Sequence, residues 1–217
     1  MGPGASRVVF LPGASGDAGF WKPVARALPA SLDPVFLAWP GLGDVPVRSD
    51  VKGFDDLVRL TLETMDEDVA LVAQSMGGIV AVLATLARPS RVRWLVLVAT
   101  SGGVDVRRFG ARDWRPDYRR EYPRAAEWIL DASIDLTARI GEITAPTLLL
   151  WGDADPISPV AVGRHLATLL PSADLVVIPG GDHAFARDRA DEVAPHVARH
   201  LQAGDRSGPG ETTPAEG

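Results

Sequence analysis

Val69-Ala70-Leu71-Val72-Ala73-Gln74-Ser75-Met76-Gly77-Gly78 is the stretch on which the fold turns. Five apolar residues lead to Gln74 and Ser75, two glycines follow, and Ile79 to Leu86 is apolar enough to read as a helix. A buried strand, a tight turn and a helix with a serine at the apex is the layout of a nucleophile elbow. The serine of such a turn has a strained backbone, so residues two positions away on either side must be small. Here they are Ala73 and Gly77. Ser75 has a second reading as a simple helix cap. The rest of the chain has to decide between the two.

The apolar runs are spaced as strands with helices between them. Working outward, strands are expected at 7–11, 34–39, 69–73, 92–99, 147–151 and 175–178. Helices are expected at 20–28, 54–65, 76–87, 159–170 and 186–201. Pro89 stops the third of these, and Pro159 sits in the first turn of the fourth, where proline is tolerated. The strands are continuous apolar runs rather than alternating ones. That pattern predicts an α/β protein, a three-layer α/β/α sandwich around a mostly parallel sheet of about six strands. Residues 1–203 read as a single domain and 204–217, rich in Gly, Pro and acids, as a disordered tail.

One connection is too long for this scheme. Roughly 45 residues separate Ala99 from Pro146, where a few residues and one helix would do. The excess, about 102–140, predicts a helical lid insertion over the strand ends. Within it, over 105–124, seven arginines (107, 108, 112, 115, 119, 120 and 124) stand against Asp105, Asp113, Asp117 and Glu121, a local charge of +3. The remainder carries −9 of the net −6. This is either a solvated, salt-bridged cover or a lid that draws in an anionic or acyl-carrier-linked substrate.

Composition narrows the function. At 217 residues with 46% hydrophobic content, the chain is long enough for a sizeable core. The acidic balance argues against nucleic acid as a partner. With no cysteine, disulfides and thiolate metal sites are excluded. No stretch reaches the ~20 apolar residues that cross a bilayer, and no segment has the form of a signal peptide. Met1-Gly2-Pro3-Gly4-Ala5-Ser6 fits a myristoylation pattern only loosely. A cytoplasmic protein is expected.

A serine hydroxyl needs a base, and near neutral pH that base is a histidine held by a carboxylate. Of four histidines, His165 falls within a helix, and His196 and His200 form an i, i+4 pair without a third ligand. His183 lies in Pro179-Gly180-Gly181-Asp182-His183, a glycine loop directly after a strand, where parallel sheets place their sites. The carboxylate should come from Gly152-Asp153-Ala154-Asp155-Pro156, which offers Asp153 and Asp155. The order serine, acid, histidine is a hydrolase order.

On these residues the chain resembles the α/β-hydrolase fold family over about residues 7–201. The resemblance implies a catalytic set of Ser75, Asp155 and His183, with Asp153 a loop carboxylate. It implies an oxyanion hole from the backbone N–H of Met76 and of Ala14, since Pro12, where relatives carry histidine, has no N–H to give. It also implies six core strands, because the hairpin that often opens the family is missing. Trp39 stands where many relatives carry an acid. Trp39 and Trp151 read as core or as pocket rim. Phe20, Trp21, Trp114 and Trp128, with Met76, are the expected apolar walls of a substrate pocket.

The expected activity is a serine hydrolase (carboxylesterase, lactonase or thioesterase-like) that acts on a small-molecule acyl substrate without a cofactor or metal. The alternatives within the same fold are a ligand-binding receptor, a lyase, a cofactor-free haloperoxidase or a C–C bond hydrolase. A dinucleotide site is disfavoured. Gly13, Gly16 and Gly19 are spaced three and three, and the second strand ends in Trp39 rather than an acid. A calcium site at Asp153 and Asp155 lacks further oxygen ligands.

Overall fold

A computed structural model describes residues 7–202. The tail expected at 204–217 lies outside the described residues. Among those described, six strands form one sheet: β1 (Arg7–Leu11), β2 (Asp33–Phe36), β3 (Val69–Gln74), β4 (Val92–Val98), β5 (Thr147–Gly152) and β6 (Ala173–Ile178). All neighbours pair in parallel, in the order β2-β1-β3-β4-β5-β6. The helices are α1 (Lys22–Arg26), α2 (Phe54–Leu62), α3 (Met76–Ala87), α4 (Arg115–Glu121), α5 (Trp128–Asp131), α6 (Val160–Leu169), α7 (Phe185–Asp188) and α8 (Ala190–Gln202). None of them is long and apolar enough to cross a membrane.

Side chains alternate across a strand, so a sheet covered on both sides must be apolar at every position. Val9, Leu11, Leu71, Ala73, Leu95, Leu97, Leu149 and Trp151 enter one core, with residues of α3 and α6. Val8, Phe10, Ala70, Val72, Val96, Val98, Leu148 and Leu150 enter the other, with residues of α1 and α8. The unbroken apolar runs follow from this double burial.

The expected boundaries shift where local bonds intervene. The helix expected at 20–28 is only α1, because Pro29 and the turn at Ala27 end it. The helix expected at 186–201 is two, broken at Arg189, whose guanidinium turns back to the Pro179 carbonyl at 2.7 Å. β2 ends at Phe36, although Leu37 N–H still reaches the Phe10 carbonyl at 3.0 Å.

The chain steps outward from β1 to β2, then crosses back to β3 on the other side of β1. The order therefore reverses between β1 and β3. Loops leaving such a pair diverge and open a crevice at the strands' C-terminal ends. Pro12-Gly13-Ala14 leaves β1 there, and Ser75 leaves β3 there.

Candidate active site

Ser75 sits between β3 and α3 with φ 53° and ψ −125°, a conformation that L residues rarely adopt. Its N–H donates to the Val98 carbonyl at 2.9 Å, which ties the turn to β4. The turn also needs open space. A Cβ on Gly77 would collide with the Pro12 carbonyl oxygen, and one on Gly13 with the Gln74 side chain. The elbow and the β1 loop are therefore in backbone contact. A Ser75 side-chain cap of α3 is absent.

His183 Nε2 lies 2.9 Å from Ser75 Oγ, and His183 Nδ1 lies 2.7 Å from Asp155 Oδ2. These side chains come from three loops, after β3, β5 and β6. The Asp155 side chain is 0% exposed and that of His183 23%. A buried carboxylate must be fully bonded. Asp155 Oδ1 accepts the N–H groups of Ile157 at 2.8 Å and Ser158 at 3.1 Å, leaving Oδ2 for the imidazole.

Asp153 points elsewhere. Its Oδ1 accepts the Gly180 N–H at 2.5 Å, which fastens the loop after β5 to the loop after β6. Ala154 N–H adds a bond to the Gly181 carbonyl at 3.0 Å. Gly180 has φ 67°, a value glycine takes without strain.

Three contacts here were not singled out from sequence. Gln74 Nε2 donates to the His183 carbonyl at 3.1 Å, so the residue before Ser75 holds the histidine loop. A lone amide closing an apolar run was the available signal. The Tyr118 hydroxyl donates to the Ala14 carbonyl at 2.8 Å and accepts the Gly43 N–H at 2.9 Å. Tyr118 thus joins α4 to the loops after β1 and β2. Burial pushes its phenol above the ordinary tyrosine range. Tyr122, its ring 5.1 Å away, is raised to about 12, by burial first and then by Glu121.

The β1 loop is held through its carbonyls. Trp21 Nε1 donates to Leu11 O at 2.9 Å, Trp39 Nε1 to Pro12 O at 2.7 Å, and Gly16 N–H to Gly13 O at 3.0 Å. Among the described residues, the backbone N–H groups of Ala14 and Met76 have no protein acceptor. Met76 opens α3, whose first N–H groups lack intrahelical partners and carry the positive end of the helix dipole.

The expected aromatic walls divide. Trp21, 1% exposed, packs 5.8 Å from Phe10 in the core beneath the opposite face of the sheet. It has no surface to offer a ligand, and that expectation is corrected. An aromatic at a helix start can turn either way, and α1 turns Trp21 inward. Phe20 is buried against it, edge to face at 5.2 Å. Trp39 and Trp151 are fully buried core residues. Trp114 and Trp128 are half-buried in the segment between β4 and β5. Trp114 packs edge-on to Tyr118 at 5.4 Å, and Trp128 to Phe54 at 5.7 Å.

Comparison with known proteins follows the same lines. A model of the family described as the alpha/beta hydrolase family matches residues 8–196. The chain is 27% identical to a poly(3-hydroxyalkanoate) depolymerase of Ectopseudomonas oleovorans, over 83% of this chain and 78% of that one. It is 29% identical to a 2-hydroxy-6-oxononadienedioate/2-hydroxy-6-oxononatrienedioate hydrolase of Cupriavidus pinatubonensis, over 80% and 79%. Among solved structures, an alpha/beta hydrolase enzyme from a sediment metagenome of the Mar Chica lagoon, Morocco, superposes with a TM-score of 0.72 at 24% identity, covering 94% of each chain.

Proposed function

Because the chain belongs to the alpha/beta hydrolase family, we propose that it is a serine hydrolase that cleaves a carboxylic ester or related acyl bond through an acyl-enzyme. One observation carries the reading: the unbroken line from Ser75 Oγ to His183 Nε2, and from His183 Nδ1 to Asp155 Oδ2. Each member explains the next. Asp155, with Oδ1 already engaged, can accept only at Oδ2 and so holds the proton on Nδ1. That leaves the Nε2 lone pair facing the serine hydroxyl.

The steps follow from that geometry. Ser75 Oγ attacks the substrate carbonyl carbon while Nε2 takes its proton. The carbonyl oxygen becomes an oxyanion, which the N–H groups of Met76 and Ala14 stabilise. Nε2 then gives the proton to the leaving alkoxide. Water repeats the sequence on the acyl-enzyme, and Ser75 regains its proton. No metal or cofactor enters any step. The segment around 102–140 serves as a lid, with Trp114 and Trp128 as apolar walls. The depolymerase and hydrolase names of the relatives support a hydrolytic use of the site.

The test combines labelling and turnover. A fluorophosphonate should form an adduct on Ser75, and p-nitrophenyl esters of graded chain length should be cleaved. Ser75→Ala and His183→Ala should each lower kcat by about 10^4-fold or more. A loss below about tenfold in either variant refutes the assignment. An adduct without ester turnover would point to a C–C bond hydrolase or lyase, and no adduct at all to a ligand receptor.

A further inference from the structure

β4 lies between β3 and β5. The chain leaving its C-terminal end therefore runs between the loop bearing Ser75 and the loop bearing Asp155. It is the segment with both loops as immediate neighbours. Two hydroxyl-bearing residues are joined there, Ser158 Oγ to the Thr100 carbonyl, and both are buried: Thr100 is 1% exposed and Ser158 2%.

Each hydroxyl of the pair donates one bond and accepts one. Thr100 Oγ1 donates to the Ser75 carbonyl at 2.5 Å and accepts the Gly102 N–H at 3.0 Å. Ser158 Oγ donates to the Thr100 carbonyl at 3.0 Å and accepts the Trp151 indole N–H at 3.1 Å. Ser158 also gives its backbone N–H to Asp155 Oδ1. A continuous hydrogen-bonded path thus leads from the backbone of Ser75 to the carboxylate of Asp155 without passing through His183.

The surrounding backbone is shaped for this path. Among the described residues, Ser75 and Ala99 are the two non-glycine residues with positive φ, at 53° and 45°. They lead into the two ends of the Thr100 bond. Gly78 leaves the room that Thr100 fills, since a Cβ there would collide with its side chain. Apolar packing is non-directional and leaves loop peptides free to rotate. Buried hydrogen bonds in low dielectric fix their orientation.

We propose that Thr100 and Ser158 are positioning residues, a buried strut that sets the placement of Asp155 relative to Ser75. Neither touches the reacting atoms. The proposal rests on the reading of Ser75, Asp155 and His183 as one catalytic set.

The experiment uses the full chain with Thr100→Val, Ser158→Ala, the double variant, Thr100→Ser as the conservative rescue and Ser75→Ala as control. The readouts are kcat and KM on a p-nitrophenyl ester, the fluorophosphonate labelling rate, and the thermal midpoint. Thr100→Val and Ser158→Ala should each lower kcat and labelling rate by roughly 10–100-fold, the cost of a displacement near 1 Å. KM should stay within about twofold, because uniform substrate binding is untouched. Thr100→Ser should return most of the rate. The double variant should be little worse than the poorer single, since both cut the same path. Ser158→Cys, a near-isostere with a weak acceptor, replaces Ser158→Ala if the latter does not fold. Lower thermal midpoints with unchanged kcat and labelling would overturn the strut and leave the two residues purely structural. Retained turnover in Ser75→Ala would instead overturn the underlying catalytic reading, a distinguishable result.

Discussion

Two carboxylates two positions apart have separate tasks in this molecule, and a one-atom change tells them apart. Asp155→Asn removes the charge facing His183 Nδ1 and offers an N–H where an acceptor is needed. By the logic of acid-to-amide exchange in such sets, kcat should fall by roughly 10^4-fold. Asp153→Asn keeps an oxygen for the Gly180 N–H, so activity should stay within about threefold. Steady-state kinetics on both variants checks the pair, and the reverse ranking would exchange their roles. Gln74→Leu is a subtler case, since it removes the donor to the His183 carbonyl while preserving most of the volume. It should lower kcat by roughly tenfold with KM nearly unchanged, read from the same assay. At this scale the sequence was legible where a residue type had one plausible task at a strand exit. Ser75 and His183 were singled out because each lies in a tight or glycine-rich turn directly after an apolar run, whereas the residues alone left Asp153 and Asp155 equal and the family resemblance chose between them. Gln74, Thr100, Tyr118 and Ser158 did not stand out, because their partners lie far along the chain. Gln74 and His183 are 109 positions apart, and Tyr118 and Ala14 are 104.

Elements were readable to the extent that their burial was uniform. The six strands, apolar on both faces, declared themselves, and only their ends moved by a residue or three. Short helices with mixed faces were less distinct, as α7 and α8 show: no periodic signal marks the break at Arg189, which follows from a tertiary bond to Pro179 O. The segment between β4 and β5 was recognisable by its length alone. In the structure it is fastened by Tyr118 to Ala14 and Gly43, by Ala126 N–H to the Gly41 carbonyl at 2.7 Å, and by Arg112 N–H to the Pro156 carbonyl at 2.7 Å. The chain has two tyrosines, and both lie here. Tyrosinate absorbance near 295 nm therefore reports on this segment alone. Both phenols are held above the ordinary value, Tyr122 at about 12. The native state thus keeps protons that the unfolded state releases near pH 10, and stability should be level below that pH and fall as pH rises from about 10 towards 12. A spectrophotometric titration should show little tyrosinate at pH 10.5 in the folded protein and much more in urea. Equal curves would mean that the segment is not seated on the β1 and β2 loops.

For the molecule as a whole, the sheet order explains why the site is where it is. The order reverses between β1 and β3, β3 carries Ser75 at its C-terminal end, and the loops after β5 and β6 bring Asp155 and His183 to the same edge. The crossing could be inferred from alternating strands and helices; the strand order could not, since apolar runs of like composition carry no label for their neighbours. Charge adds a polarity to this frame. Of the seven arginines at 107–124, four sit in ion pairs with nearby carboxylates: Arg107 with Asp105, Arg112 and Arg120 with Asp117, and Arg115 with Asp113. Such exposed pairs contribute little to stability, typically about 0–1 kcal/mol. Arg108, Arg119 and Arg124 are exposed and have no carboxylate within ion-pair distance among the described residues. On a molecule of net charge −6 they are a local positive feature of the segment between β4 and β5. Fields of this kind act over the Debye length, about 10 Å at 0.1 M salt, and raise encounter rates for opposite charge. An ester bearing a free carboxylate should therefore lose several-fold in kcat/KM between about 0.02 and 0.5 M salt, while a neutral ester of equal chain length stays level. The triple variant Arg108→Gln, Arg119→Gln, Arg124→Gln should flatten the first curve to match the second and leave kcat for the neutral ester unchanged. Identical salt curves for the two esters in the unmodified protein would reduce the arginines to a solvated cover, with no part in selecting the substrate.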